Sequence, residues 1–322
     1  MTATQEKKSN IKVSHIVVTF IASVIITAQS SINSELNLFT EYPLVTALIN
    51  FATGLLVLSL VMLISRPVRQ GFLQIPSLVR AGTLRRWQLL GGLSGAFFVA
   101  TQSGLVQVVG VAIFTVAVVA GQTCAALLVD KFGIGPAGKQ AVTIARVGAA
   151  ILGILGVFVS VLGQGSTTQV AFGAVFVAFA AGAIVATQPA LNGQIANHTG
   201  QPAAAAMVNF VVGFIVLVVV FGVKQQIYPQ EIIVPPMPWE NPIIWLGGPF
   251  GVFFVLTAAF MAKTLGVFLF TLTSVVGQLS GAILMDVVFP TAVTNITWQL
   301  LLGISMTGAA VVLASGKQKV KT

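Results

Sequence analysis

Apolar residues in this chain come in runs of about twenty, separated by short segments that hold most of the charge. Ten such runs can be drawn, at 15–34, 44–64, 88–107, 110–129, 144–163, 170–190, 203–223, 243–262, 265–285 and 297–315. Each is long enough to cross roughly 30 Å of hydrocarbon as a helix. The runs lack the strict alternation of a barrel strand, and an isolated span in lipid must satisfy its own backbone groups, so helices are expected. The fold class predicted is an all-α polytopic membrane protein of ten transmembrane helices.

The polar positions inside the runs recur. Gln29, Asn33, Pro43, Asn50, Phe51 and Gly54 return as Gln188, Asn192, Pro202, Asn209, Phe210 and Gly213, at a constant offset of 159 residues. A shorter connecting loop then moves the offset to 156. Gly91, Gly92, Gly95, Gly110, Gln122 and Asp130 return as Gly247, Gly248, Gly251, Gly266, Gln278 and Asp286. The chain is therefore two copies of one five-helix unit. The division expected is a cytoplasmic tail at 1–14, a first repeat at 15–163, an external linker at 164–169, a second repeat at 170–316 and a cytoplasmic tail at 317–322.

Composition agrees with lipid as the solvent. Of 322 residues, 56% are hydrophobic and 7% charged, too little polar surface for a soluble globule. The net charge of +9 could suggest nucleic acid, but fifteen of the sixteen Lys and Arg fall in segments on one side of the predicted membrane, with only Lys224 on the other. That bias orients a membrane protein with both termini in the cytoplasm, and it excludes the nucleic-acid reading. The lone Cys124 offers neither a disulfide framework nor a thiolate metal cage. The first run resembles a secretory signal ending near Ala28, yet its counterpart lies deep in the chain, which argues against cleavage.

Because five is odd, the second unit must enter the membrane inverted relative to the first. Two copies related by an axis in the membrane plane have two equivalent packings, one open to each side, which is the basis of alternating access.

Candidate chemistry is neutral. Gln29 and Asn33, four residues apart, share a helix face, as do Gln188 and Asn192 with Pro189 between them. Pro189 leaves the Val185 carbonyl without its helical donor, so the sixth helix is expected to break beside a cavity. These four amides are the candidate substrate-binding residues. Asn50, Asn209, Gln122, Gln278, Thr101, Gln102 and Thr257 are candidates to line or support the path. All of them can instead join helix to helix, and the threonines can bond back to their own helix. The glycine pairs at four-residue spacing read as close helix packing. Asp130 and Asp286 close matching runs, as solvated helix ends or as gating residues. No acid falls at the centre of a run, which leans the coupling toward facilitated diffusion over proton exchange.

Gly133 to Gln140 imitates a phosphate-binding loop, but Gln140 stands where Ser or Thr is required and a membrane span precedes it. Asn197 and Asn295 fit a glycosylation pattern in short loops at the membrane surface.

The Gln-x-x-x-Asn element, Asn-Phe-x-x-Gly at Asn50 and Asn209, Gly-Gly-x-x-Gly-x-Phe-Phe at Gly91 and Gly247, and the Gly-Gln pairs at Gly121 and Gly277 together resemble the YdcZ-like family of the drug/metabolite transporter superfamily. Many members are single five-span proteins held to pair in opposite orientations, and this chain looks like a fused pair. The resemblance implies a ten-helix bundle with a central solute path in the plasma (inner) membrane, and it leaves the cargo open. A transporter of a small polar or amphipathic solute is expected, with a partner-binding scaffold as the alternative. An intramembrane enzyme is disfavoured because the few His, Asp and Glu are scattered at helix ends. The expected partners are a small-molecule solute and a bilayer with an anionic inner leaflet; no cofactor, metal or nucleic acid is called for, and a homo-oligomer is compatible.

Overall fold

The computed structural model describes residues 13–134, 139, 142–162, 168–265, 267–290 and 296–315, with backbone alone at 130, 168–171, 259–260, 262–265, 267–272 and 314–315. Residues 1–12 and 317–322 of the expected tails, residues 164–167 of the linker, Gly266, Gly316, Asn295, much of the Gly133 to Gln140 loop and the Asp130 side chain lie outside that description.

Among the described residues all the regular secondary structure is helical, with no strand. The first unit comprises α1 (Val13–Thr40), α2 (Pro43–Ile64), the short α3 (Arg66–Leu73) and α4 (Ile75–Arg80), the long α5 (Gly91–Phe132) and α6 (Ile144–Leu162). The second comprises α7 (Thr168–Val185), α8 (Thr187–Thr199), α9 (Pro202–Ile227), α10 (Gly247–Leu265), α11 (Val267–Val288) and α12 (Trp298–Ser315). Among the described residues six helical runs are long and apolar enough to cross a membrane, and three further apolar helices are shorter.

The first helix is turned inside out relative to one in a soluble bundle. On α1 the buried positions include Thr19, Ser23, Thr27, Gln29, Ser30 and Asn33, whereas Val13, Val17, Val18 and Ile21 are exposed. Exposed apolar side chains on α2, α6 and α9 continue this surface. Such a surface is at equilibrium against acyl chains and would be costly in water.

Both units begin with the same hairpin. At its turn Glu41 has φ 50° and its counterpart Gly200 has φ 67°. The next residues, Tyr42 and Gln201, are extended N-caps, and Pro43 and Pro202 open α2 and α9 at a position where a missing N–H costs nothing. Where the first unit uses Glu41, the second uses glycine, the residue that reaches positive φ without strain.

The expected third and fourth helices are both present as the two halves of α5, which meet at a kink where Gly110 leaves helical geometry (φ 79°, ψ 163°). The structure differs from the sequence expectation in three places. The first helix continues beyond 34 to Thr40. The sixth helix loosens at Ala186, where the backbone stays right-handed (φ −59°, ψ −22°), and then runs past Pro189 to Thr199. Residues 65–87, expected as a loop, contain α3 and α4, whose Arg66, Arg69 and Arg80 are solvent-facing or partly so while Val68 and Ile75 are buried. That is the pattern of helices lying in a membrane interface.

Candidate functional site

Six of the sequence-predicted amides, Gln29, Asn33 and Asn50 with Gln188, Asn192 and Asn209, form two clusters, each built across the two units. In the first, Asn50 Nδ2 donates to Asn33 Oδ1 at 2.8 Å, and Gln29 Nε2 lies 3.5 Å from Asn50 Oδ1. This cluster rests on the opening glycines of α10: a Cβ on Gly247 would overlap Asn33 and Asn50, one on Gly248 the Asn50 carbonyl, and one on Gly251 would sit 2.9 Å from Gln29 Nε2. In the second cluster the units exchange roles. A Cβ on Gly91 would meet Asn192 and Asn209, one on Gly92 the Asn209 carbonyl, and one on Gly95 Gln188 Nε2. Phe51 and Phe210 pack on each other with centroids 5.1 Å apart, each lying over the other unit's Gly213 or Gly54.

Several of these amides have hydrogen-bonding capacity left over. Asn33 Nδ2, Asn192 Oδ1, Asn209 Oδ1 and both polar atoms of Gln102 are buried without a partner. Such groups are costly in a closed bundle and are the atoms a polar solute or water could satisfy. Thr101 and Thr257 are only partly buried.

Gln278 belongs to a third group that the sequence pattern did not single out. Ser23 Oγ is 2.9 Å from Ser274 Oγ, Gln278 Nε2 donates to Ser274 Oγ at 3.1 Å, and Thr27 Oγ1 donates to the Gln278 carbonyl at 3.2 Å. Beside them lies a cavity of about 30 Å³ lined by Thr27, Ser30, Phe98, Phe114, Thr115 and Gln278 among others, with room for a water or so. The signal available in the sequence was the spacing of Thr19, Ser23 and Thr27 at every fourth residue of α1. Gln122, the repeat counterpart of Gln278, is partly buried on α5.

Asp286 is no solvated helix end. It is 4% exposed, and its two carboxylate oxygens accept from the Val111 and Ala112 N–H groups at 2.8 and 2.9 Å. Those are the first free donors after the Gly110 break, so a side chain from the second unit caps a helix start in the first.

Among the described residues no group of His, Cys, Asp and Glu is placed to hold a metal ion.

No curated protein matches this chain. A solved crystal structure of a protein matches its fold with a TM-score of 0.53 at 16% identity, covering 94% of this chain and 97% of that one. The model of the family described as "Putative inner membrane exporter, YdcZ" matches two segments of nearly equal length, residues 15–159 and 173–313, which together span most of the sequence, and the chain therefore belongs to the YdcZ family of membrane transporters.

Proposed function

We propose that the protein exports a small polar or amphipathic solute across the plasma (inner) membrane by alternating access between two inverted five-helix halves, with ten membrane crossings and both termini in the cytoplasm. The observation that carries this reading is the reciprocity of contacts between units. Asn33 and Asn50 meet Gly247 and Gly248 as Asn192 and Asn209 meet Gly91 and Gly92. When residue i of one copy meets j of the other and j meets i in return, a two-fold axis relates the copies. With five crossings per copy that axis lies in the membrane plane.

The contacts between distant segments favour the same topology. Gln107 donates to the Ser34 carbonyl, Asp286 caps Val111, and Lys224 Nζ stands 4.3 Å from the Tyr42 ring centroid. All of these residues are expected near the outer face. Gln74 donates to the Thr199 carbonyl and Gln194 to the Ile134 carbonyl, and all four are expected near the inner face. A count of ten is supported by the run Arg86–Val129, whose 44 residues are about twice what one crossing needs.

On this reading the amide clusters are inner and outer gates. Gln29 and Asn33 bind solute when the outer side opens, Gln188 and Asn192 when the inner side opens, and Asn50, Asn209 and Gln102 support the path. The bend at Ala186 and Pro189 lets the inner gate move. The double variant Gln188→Leu/Asn192→Leu is expected to insert normally but to lose transport in proteoliposomes; wild-type rates would remove the amides from the path.

The topology has its own test. Thr83 follows the second helix of the first half, and Val234 follows the second helix of the second half; both are exposed. In intact cells an impermeant thiol reagent is expected to modify Val234→Cys and leave Thr83→Cys untouched. Modification of both, or of neither until lysis, would put the halves in parallel and end the alternating-access account.

A further inference from the structure

We propose that the seam between α1 and α11 is a lateral entrance by which an uncharged amphipathic solute passes from the inner leaflet into the hydroxyl-lined cavity, an inference that rests on the transport reading above. Ile16, Phe20, Ser23, Thr27 and Ser30 follow one another at steps of four and three, so they form a single stripe along α1. At the start of the stripe, Ile16, Val17 and Phe20 with Thr273 and Val276 of α11 line an open groove of about 330 Å³, a volume in the range of small-molecule sites. At its end, Thr27 and Ser30 line the small cavity with Gln278. Between groove and cavity stand Ser23 and Ser274, oxygen to oxygen at 2.9 Å.

The repeat provides an internal comparison. Ser23 and Ser274 correspond to Gly182 and Val118 in the other copies, and Phe20 to Phe179. At that equivalent crossing a Cβ on Gly182 would overlap the Val118 carbonyl, and one on Gly121 would overlap the Phe179 carbonyl. There α5 and α7 meet backbone to backbone, and the seam is sealed. At the α1–α11 seam a Cβ on Gly277, the counterpart of Gly121, would come to 2.8 Å of the Phe20 carbonyl, a close but looser approach, and two hydroxyls bridge the helices beside it, which exchange hydrogen-bond partners at small cost. Of the two seams that the repeat makes equivalent, it is the less tightly closed.

The lining sets the class of solute. Groove residues are apolar apart from Thr273, and the cavity offers hydroxyls, one amide and two phenyl rings. A charged head would be desolvated there with no counter-charge among these residues, whereas a hydroxyl or amide head on an apolar tail matches the polarity of both compartments, and the cavity, which holds about one water while the seam is closed, widens as it parts. Since α1 begins on the cytoplasmic side of the proposed topology, the groove faces the inner leaflet, the leaflet an exporter draws from.

The test uses the full-length protein in phosphatidylethanolamine/phosphatidylglycerol vesicles with two photoreactive probes, a monoacylglycerol and a phosphatidylcholine carrying the same diazirine chain, and labelled residues mapped by mass spectrometry. The monoacylglycerol is expected to label Thr27, Ser30 and Gln278, while the phospholipid stops at Ile16 to Phe20. In a Cys124→Ser background, a disulfide between Ser23→Cys and Ser274→Cys is expected to abolish label at Thr27, and reductant to restore it in the same sample. Monoacylglycerol label confined to Ile16 to Phe20, or label at Thr27 indifferent to the cross-link, would overturn the proposal. A water-soluble maleimide reaching Thr27→Cys with the seam cross-linked would also overturn it, while leaving carriage intact. Label at Thr27 that obeys the cross-link, with no probe ever appearing in the outer leaflet, would uphold the entrance and refute carriage.

Discussion

Gly248→Ala is expected to lower the stability of the folded protein by about 1–3 kcal/mol, the usual cost of forcing a methyl into a filled site, and Gly92→Ala to do the same. Each added Cβ would fall on the backbone of a helix from the other unit: Asn50 and Gly54 for Gly248, Asn209 and Gly213 for Gly92. Backbone cannot rotate away as a side chain can, so the helices must separate, and the packing that opens lies along α2 or α9 beside the amide clusters. Without a strong hydrophobic force between helices in lipid, close packing of this kind is a main source of their association. Gly148 and Gly222 are helical glycines with open space where a Cβ would go, and their alanine variants should match or exceed wild type by up to about 1 kcal/mol through helix propensity. Unfolding in mixed micelles with increasing dodecyl sulfate measures all four. Losses at Gly92 and Gly248 no larger than at the controls would mean that the two units do not meet at these glycines.

The same glycines mark how far the sequence alone could reach. That Gly92 and Gly248 are equivalent was readable from the offset of 156, as was the match of Gln29 and Asn33 to Gln188 and Asn192 from the offset of 159. Which copy each would touch was not readable. A repeat states that positions share an environment; it is silent on whether the environment comes from the same copy or the other. The amides therefore read as one neutral site, whereas they sit in two clusters on the glycines of opposite units. The hydroxyl group around Ser23 was hidden for a different reason. Thr19, Ser23 and Thr27 each reach the carbonyl four residues back, the His15, Thr19 and Ser23 oxygens. That is the ordinary fate of a membrane threonine or serine, and only the position of α11 shows that Ser23 also meets Ser274. Pro189 was legible as a helix breaker and does mark an interruption, but the larger departure from helical geometry is at Gly110. A glycine in an apolar run gives no sign of its φ; the repeat placed Gly110 and Gly266 in register without saying what either does.

Asp286→Ala is expected to cost about 3 kcal/mol or more, because it strands two buried backbone donors at once and each unsatisfied donor costs about 1–3 kcal/mol. The carboxylate spans the Val111 and Ala112 N–H groups with both oxygens, at a helix start where the exposed ends of the peptide dipoles favour negative charge. Asp286→Asn keeps the shape but turns an NH2 group toward one of the two donors, so it should recover only part of the loss. The direct readout is amide hydrogen exchange. Val111 and Ala112 are expected to exchange faster in both variants, most in Asp286→Ala, while amides of the α2–α9 crossing keep their wild-type protection. Unchanged exchange at those two positions would mean that Asp286 does not hold the Gly110 break. Protection lost throughout the bundle would give Asp286 a global role in place of a local cap. The bond also joins the two units, α11 of the second to the reversed backbone of the first. A half that rocks against its partner must either carry this contact along as a pivot or release it. If transport survives Asp286→Asn at a reduced rate while substrate affinity holds, the contact acts on the motion between states and has no part in recognition.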